Sequence, residues 1–182
     1  EQQQLLLRGA VVRTLRPGVR VAAGYAYVLT SPYGEAPVAA RFPEHRTFQQ
    51  LALAQDAGPV SVQHRYRLEQ RWVGLTGADA ADPERVTDWR YTNRVRYLLR
   101  GTLPLVRAAD GRPRLYGVLA DEVFVNFGRE VQGNVFDQNR AQAALGVQLS
   151  PALRLEAGYQ HQYLLKGSGR DGRVTKEDAV AA

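Results

Sequence analysis

The chain of 182 residues has no cysteine and no long uninterrupted apolar run. Without cysteine, neither a disulfide framework nor a thiolate metal site can form. A membrane-spanning helix needs about eighteen or more apolar residues and is therefore excluded, whereas transmembrane β-strands, whose apolar residues alternate with polar ones, remain possible. Hydrophobic residues make up 45% and charged residues 23% of the chain, which indicates one ordinary domain.

Sequence signatures of catalysis are also scarce. The chain has no G-x-S-x-G nucleophile elbow and no H-E-x-x-H motif, and its histidines are scattered without the spacing of a metal site. His45 with Ser31 or Ser61 is the one hydrolase-like grouping. Adjacent residues of a strand face opposite sides, however, so Glu44 is badly placed to orient His45. We therefore predict no enzyme, no metal and no other cofactor.

Basic residues are in excess, with 24 Lys and Arg against 18 Asp and Glu and a net charge of +6. Such an excess usually suggests nucleic acid or an anionic surface as the partner. Here the arginines fall on one face of strand-like segments, where they interleave with glutamates. We interpret the basicity as internal charge networks and predict no binding of nucleic acid.

The chain does contain long stretches of strict two-residue alternation. In residues 60–72, VSVQHRYRLEQRW, the even positions are apolar or amphipathic except Gln70, and the odd positions are all polar. This period indicates one long strand with two faces of opposite chemistry. Strands of soluble proteins usually have about five or six residues, whereas a transmembrane barrel strand needs roughly nine to eleven. The stretch therefore favours a membrane barrel, apolar toward lipid and polar toward the lumen.

The same alternation recurs along the chain, and no sustained helical stripe interrupts it. We predict an all-β, antiparallel transmembrane β-barrel domain over residues 1–166, followed by a polar tail at 167–182 that has no alternating run. The predicted strands are 5–15, 19–29, 44–54, 60–72, 89–103, 115–127, 140–149 and 153–165.

Short and long connections between these strands alternate. The short ones, at 16–18, 56–59, 109–112 and 150–152, carry glycine or proline, and the long ones are 31–43, 74–87 and 128–137. Transmembrane barrels have short periplasmic turns and longer external loops. The first strand would then begin, and the eighth strand would end, at the rim with the long external loops. Single-chain bacterial barrels instead have both chain termini in the periplasm. We therefore expect ten strands in the complete protein, and an export signal removed from the chain or never included in it.

The charges on the polar strand faces are predicted to line the lumen. Each glutamate can pair with arginines on adjacent strands, and a barrel of eight to ten strands is barely wide enough for its own side chains. We therefore favour a structural ion-pair network, with an anion-selecting lumen as the alternative. The predicted network comprises Glu44, Arg46, Arg65, Arg67, Glu69, Arg71, Arg94, Arg96, Glu122, Arg140 and Glu156.

Aromatic residues concentrate in the strand halves beside the long loops. Tyrosine and tryptophan suit a membrane interface because the ring is apolar and its edge is polar. We predict an interfacial girdle, with a carbohydrate-binding platform as the alternative. Its members are Tyr25, Tyr27, Trp72, Trp89, Tyr91, Tyr159 and Tyr163.

Several phrases of the sequence also occur together in a characteristic order. They are EHR at 44–46, HRYRLEQR at 64–71, RVRY at 94–97, DEVFVN at 121–126, FDQNR at 136–140 and EAGYQHQ at 156–162. The set resembles domain-of-unknown-function family 2490, bacterial proteins grouped with outer-membrane β-barrels, over residues 1–165. The resemblance implies a barrel fold and an outer-membrane location, and it implies no activity.

These observations lead to one functional prediction and two alternatives. We predict a small barrel of the bacterial outer membrane, in the Gram-negative envelope, with a structural or interaction role such as accessory subunit of an envelope complex. Its predicted partners are outer-membrane lipid and other envelope proteins. The alternatives are a narrow anion-permeable pore and a lipid-modifying barrel enzyme.

Overall fold

The computed structural model describes residues 4–32, 40–77, 79, 81–109, 111–129, 131 and 135–164, which form one antiparallel sheet of eight strands. The all-β class and the eight predicted strands are confirmed. The sheet consists of β1 (Gln4–Arg16), β2 (Val19–Thr30), β3 (Phe42–Ala57), β4 (Val60–Leu75), β5 (Asp88–Arg107), β6 (Pro113–Phe127), β7 (Phe136–Ser150) and β8 (Leu153–Leu164). The predicted domain limit at 166 and the tail at 167–182 lie outside the described residues and stay predictions.

Each strand pairs with its neighbours in the sequence, and the connections alternate in length as predicted. The short-turn end of the sheet carries connections 17–18, 58–59, 108–112 and 151–152, and the long-connection end carries 31–41, 76–87 and 128–135. Gly18 and Gly58 occupy two of the short turns with φ of 76° and 61°, a region that favours glycine because it has no Cβ. No helix in the described part of the chain is long and apolar enough to cross a membrane.

The sheet is strongly curled. One cavity is lined by residues of all eight strands, whereas in a flat sheet, at about 4.8 Å per strand, β1 and β8 would lie roughly 34 Å apart. Arg100 of β5 also lies 2.7 Å from Glu156 of β8, three strands away. The face that carries these polar side chains is therefore the concave face, and the alternating apolar residues form the outward face.

The curled sheet is not closed. β1 pairs only with β2 and β8 only with β7, and the residues of both strands are exposed along their whole length. The described residues therefore form an open trough and not a closed barrel, and the ten-strand transmembrane barrel that we predicted for the complete protein stays a prediction. Alternation specifies which face of a strand is buried, but closure depends on tilt and stagger summed over all strands, which alternation does not encode.

Burial on the two faces is the reverse of that in a water-soluble sheet. On the concave face, Glu69 is 3% exposed and Arg94 is 6% exposed, whereas Leu119 on the outward face is 70% exposed. A small apolar cluster of Tyr116, Val118 and Ala144 is buried on the concave face in the half toward the short-turn end. The concave face thus buries charged and polar side chains together with some apolar ones, whereas the outward face exposes mostly apolar side chains.

A glycine supports this apolar cluster. Gly146 of β7 lies opposite Tyr116 of β6, whose ring occupies the place that a Cβ on Gly146 would take. We expect Gly146→Ala to lower the free energy of unfolding by about 1–3 kcal/mol, the usual cost of overpacking. Equilibrium denaturation in detergent micelles measures this change. Gly9→Ala is the matched control, because no atom lies within 4 Å of its added Cβ; an equal loss in both variants would contradict the prediction.

Candidate functional site

The predicted lumen charges all lie on the concave face, most of them in the half toward the long-connection end. The strand register brings unlike charges directly opposite each other, as with Glu69 and Arg94 or Glu122 and Arg140. This placement follows from the alternation, since every second residue of neighbouring strands shares one face. Whether these charges form a functional site or a structural network stays a prediction.

Glu69 is shared between three arginines. It accepts hydrogen bonds from Arg94 Nε and Nη2 at 2.9 and 2.6 Å, and from Arg96 Nη1 at 2.9 Å. Arg67 Nη1 lies farther away, at 3.7 Å from Glu69 Oε1. The carboxylate is deeply buried, so these arginines replace the water that would otherwise solvate its charge.

Glu44 forms a second, similar centre on β3. Arg71 of β4 donates to both of its oxygens, from Nε at 2.5 Å and from Nη2 at 3.1 Å. Arg46, two residues along the same strand and on the same face, also donates to both oxygens of Glu44. The carboxylate therefore holds two guanidinium groups in the fork geometry that favours Arg–carboxylate pairs.

The remaining two carboxylates bond across the trough. Glu122 Oε1 accepts from Arg65 Nη2 at 2.8 Å, although β4 and β6 are not neighbours in the sheet, and from Arg96 Nε at 3.0 Å. Glu156 accepts from Arg100 Nη2 at 2.7 Å. We had predicted that each glutamate pairs with arginines on adjacent strands. Glu156 on β8 instead pairs with an arginine on β5, because the curl of the sheet brings β5 over β8.

Two buried phenylalanines on the concave face hold the arginines in place, and sequence reasoning missed both. The Phe124 ring centroid lies 4.4 Å from Cζ of Arg96 and 4.9 Å from Cζ of Arg140, and Phe48 lies 4.6 Å from Cζ of Arg67. Such cation–π contacts position a guanidinium without using its N–H donors. Both phenylalanines lie at strand positions where the alternation predicts a polar residue. That break in the alternation was the signal available in the sequence.

Sequence reasoning also left Arg100, Tyr116 and Asp137 out of the network. Asp137 Oδ2 lies 3.0 Å from Arg94 Nη1, and Tyr116 donates to Glu156 Oε1 at 3.0 Å. Asp137 was assigned to the long connection 128–137, whereas β7 begins at Phe136. A strand boundary placed a few residues late therefore concealed a carboxylate of the site.

The predicted girdle residues all lie at strand positions whose side chains point to the outward face. Tyr27, His45, Trp72 and Tyr91 occupy successive opposed positions across β2 to β5, near the long-connection end. The ring centroids of Tyr27 and His45 are 5.4 Å apart, and those of Trp72 and Tyr91 are 5.3 Å apart. The interfacial role of this row stays a prediction. The other predicted members, also outward, are Tyr25, Trp89, Tyr159 and Tyr163.

The hydrolase-like grouping of His45 with Glu44 and Ser61 is not assembled on the strands. His45 faces outward, where its Nδ1 lies 2.5 Å from Tyr25 Oη, while Glu44 faces inward and holds two arginines. Ser61 lies near the opposite end of the sheet, paired with Asp56. Within the described residues no cluster of three His, Cys, Asp or Glu side chains is suited to hold a metal ion.

The concave face encloses a cavity of about 540 Å³ that we call the arginine cavity. It lies in the half of the trough toward the long-connection end. Seven arginines but only two carboxylates line it. The arginines are Arg8, Arg46, Arg67, Arg71, Arg94, Arg96 and Arg140, and the carboxylates are Glu69 and Asp137.

Comparison with known proteins gives one match. A family model described as "Protein of unknown function (DUF2490)" matches residues 1–173 and thus includes all eight strands. No curated protein and no solved structure matches the chain.

Proposed function

This chain belongs to the DUF2490 family, whose function is unknown, and we propose that it is a small outer-membrane β-barrel with a structural or interaction role in the bacterial envelope. The family resemblance predicted from the ordered phrases is confirmed by the match. The description of the family names no activity, and nothing in the described residues indicates catalysis. The structural role therefore rests on the geometry of the sheet.

The inverted burial of the two faces is the observation that carries this proposal. Leu119 and Leu145, on the inner strands β6 and β7, are 70% and 58% exposed on the outward face, and most of their outward neighbours are also apolar. An apolar surface of this extent is unfavourable in water and favourable against lipid. Polar side chains bonded to one another inside a lipid-facing shell are the arrangement of a transmembrane barrel.

Strand length supports the same proposal. The strands contain 12 to 20 residues, with β2 and β8 the shortest and β5 the longest. A tilted strand needs roughly nine to eleven residues to cross the bilayer. Every strand of the sheet is therefore long enough to span it.

The proposal also requires partners that pair with the free backbone groups at the outer edges of β1 and β8. A bilayer does not tolerate a sheet edge with unpaired backbone groups. In the ten-strand barrel that we predict, further strands pair with both edges. The ion pairs of the concave face then fill the lumen as an internal framework. Lipid contacts the outward face, and other envelope proteins are the proposed protein partners. The anion-permeable pore and the lipid-modifying enzyme stay alternatives that the internal framework favours less.

An arginine placed on the outward face tests this proposal. Leu119 is the seventh residue of the 15-residue β6, near its middle, and its side chain is mostly exposed. We expect Leu119→Arg to lower the free energy of unfolding in lipid vesicles by about 2–4 kcal/mol, because the charge would lie at the bilayer midplane. Reversible denaturation of the folded protein in vesicles measures the loss.

Leu149 provides the matched control, because it is also exposed but lies one residue from the short-turn end of β7. Leu149→Arg should cost about 0–1 kcal/mol, as expected near the interface. In a water-soluble sheet both substitutions would cost little, within about 0.5 kcal/mol. Equal small losses, or recovery of the folded protein from a Gram-negative host without detergent, would refute the membrane location.

A further inference from the structure

We propose that the arginine cavity is a binding site for a phosphoryl-type oxyanion, with Arg8, Arg67 and Arg140 as its donors. Binding of an anion would be a role beyond the structural one proposed above. It depends on the composition of the cavity and not on the location of the protein. Three independent features of the concave face support it: an excess of positive charge, unused donors and an apolar floor.

The first feature is an uncompensated positive charge. Seven arginines line the cavity together with Glu69 and Asp137. Glu44 and Glu122, which bond to some of these arginines, raise the number of carboxylates to four. Arg65 also bonds Glu122 and brings the number of arginines to eight, so four positive charges remain unbalanced in a partly enclosed space, where unpaired charge is unfavourable. A bound anion would balance them.

The second feature is a set of donors without acceptors. Within the described residues Arg140 makes no hydrogen bond and no ion pair, and its Nε is buried without a partner. The ring of Phe124 holds its guanidinium at 4.9 Å and leaves all five N–H groups available. Arg140 is thus held beside Phe124 without a hydrogen bond to any described side chain, although Glu122 lies opposite it on β6.

Arg67 and Arg8 also have N–H donors that lack a carboxylate acceptor within hydrogen-bond distance. Arg67 donates only to the neutral Gln50 Oε1, at 3.0 and 2.6 Å, and its nearest carboxylate oxygen is 3.7 Å away on Glu69. Arg8, on the concave face of β1, has no acceptor in the described part of the chain. All three arginines line the same cavity.

The third feature is the floor of the cavity. Toward the short-turn end the concave face carries the buried apolar cluster of Tyr116, Val118 and Ala144, with the ion pair of Arg100 and Glu156 beside it. Arg100 in this half is held by Glu156, whereas the proposed donors Arg8, Arg67 and Arg140 line the cavity and not this cluster. The geometry therefore favours retention of an anion at the cavity over its passage through the trough.

The chemistry of the donors selects the class of ligand. The planar fork of arginine matches the paired oxygens of a phosphoryl group, and an excess of four charges suits a doubly charged anion. A cavity of about 540 Å³ admits either inorganic phosphate or the phosphorylated headgroup of a lipid. Both sources present the same oxyanion to Arg8, Arg67 and Arg140.

Titration of the full chain in detergent micelles tests the proposal. Inorganic phosphate is added in one arm, and phosphatidic acid in mixed micelles in a second, with phosphatidylcholine as the reference lipid. We expect saturable binding in at least one arm and a loss of affinity of about 10- to 100-fold in Arg140→Gln, as for the loss of charge-assisted hydrogen bonds. Arg67→Gln should weaken binding in the same direction.

Arg100→Gln is the matched control, because Arg100 lies on the concave face but pairs with Glu156 outside the cavity. Its affinity should equal that of the unmodified chain, and circular dichroism confirms that each variant is folded. Binding in the phosphatidic acid arm alone would assign the site to a lipid headgroup. Absence of binding in both arms, or equal weakening in Arg100→Gln and Arg140→Gln, would overturn the proposal without affecting the Leu119→Arg test of the barrel.

Discussion

Glu69→Gln is expected to lower the free energy of unfolding by about 3–5 kcal/mol, the usual cost of removing one partner of a buried ion pair. Glu69 is 3% exposed and holds Arg94 and Arg96 by three hydrogen bonds. The amide keeps the shape of the side chain but removes its charge, so both guanidinium groups lose their shared counterion. Urea denaturation in micelles, followed by circular dichroism, measures the loss.

Glu84→Gln is the control for this prediction. Glu84 pairs with Arg41 at 2.7 Å, but both side chains are about half exposed. An exposed pair contributes about 0–1 kcal/mol, so the control should change stability by no more than that. If Glu69→Gln were as mild as the control, the concave face would be wet enough to screen its charges, and the description of a buried network would be wrong.

Phe124→Ala is expected to cost a similar amount, about 3–5 kcal/mol, as for other buried phenylalanines. The ring is 1% exposed and lies beside the guanidinium groups of Arg94, Arg96 and Arg140. Its removal leaves a void between three like charges and removes the aromatic face that attracts each of them. Thermal and urea denaturation in micelles measure the combined effect.

Phe127 on the same strand provides the comparison, since it is 43% exposed and faces outward. Phe127→Ala should cost less than about 1 kcal/mol. Phe124→Leu separates the two contributions at the buried site, because leucine fills most of the volume but has no π-face. A full recovery of stability in Phe124→Leu would contradict a role for the cation–π contacts.

Much of the candidate site followed from the period-two alternation alone. It placed Glu44, Glu69 and Glu122 on one face with the arginines, and it placed Trp72 and Tyr91 on the other. What alternation did not reveal were the members that break it or that lie at strand ends. Phe124 has the wrong polarity for its face, and Asp137 lies one residue inside a strand whose start is hard to locate from sequence.

The sequence by itself determined the all-β class, the number of strands, the positions of the turns and the chemistry of each face, but not the exact ends of the strands. These properties are local, because the facing of a side chain depends only on its position in its own strand. Only the tertiary structure decided that Arg100 meets Glu156, that three arginines surround Phe124, and that β1 and β8 do not pair. Such contacts depend on twist and curl accumulated over eight strands, and no single strand carries that information.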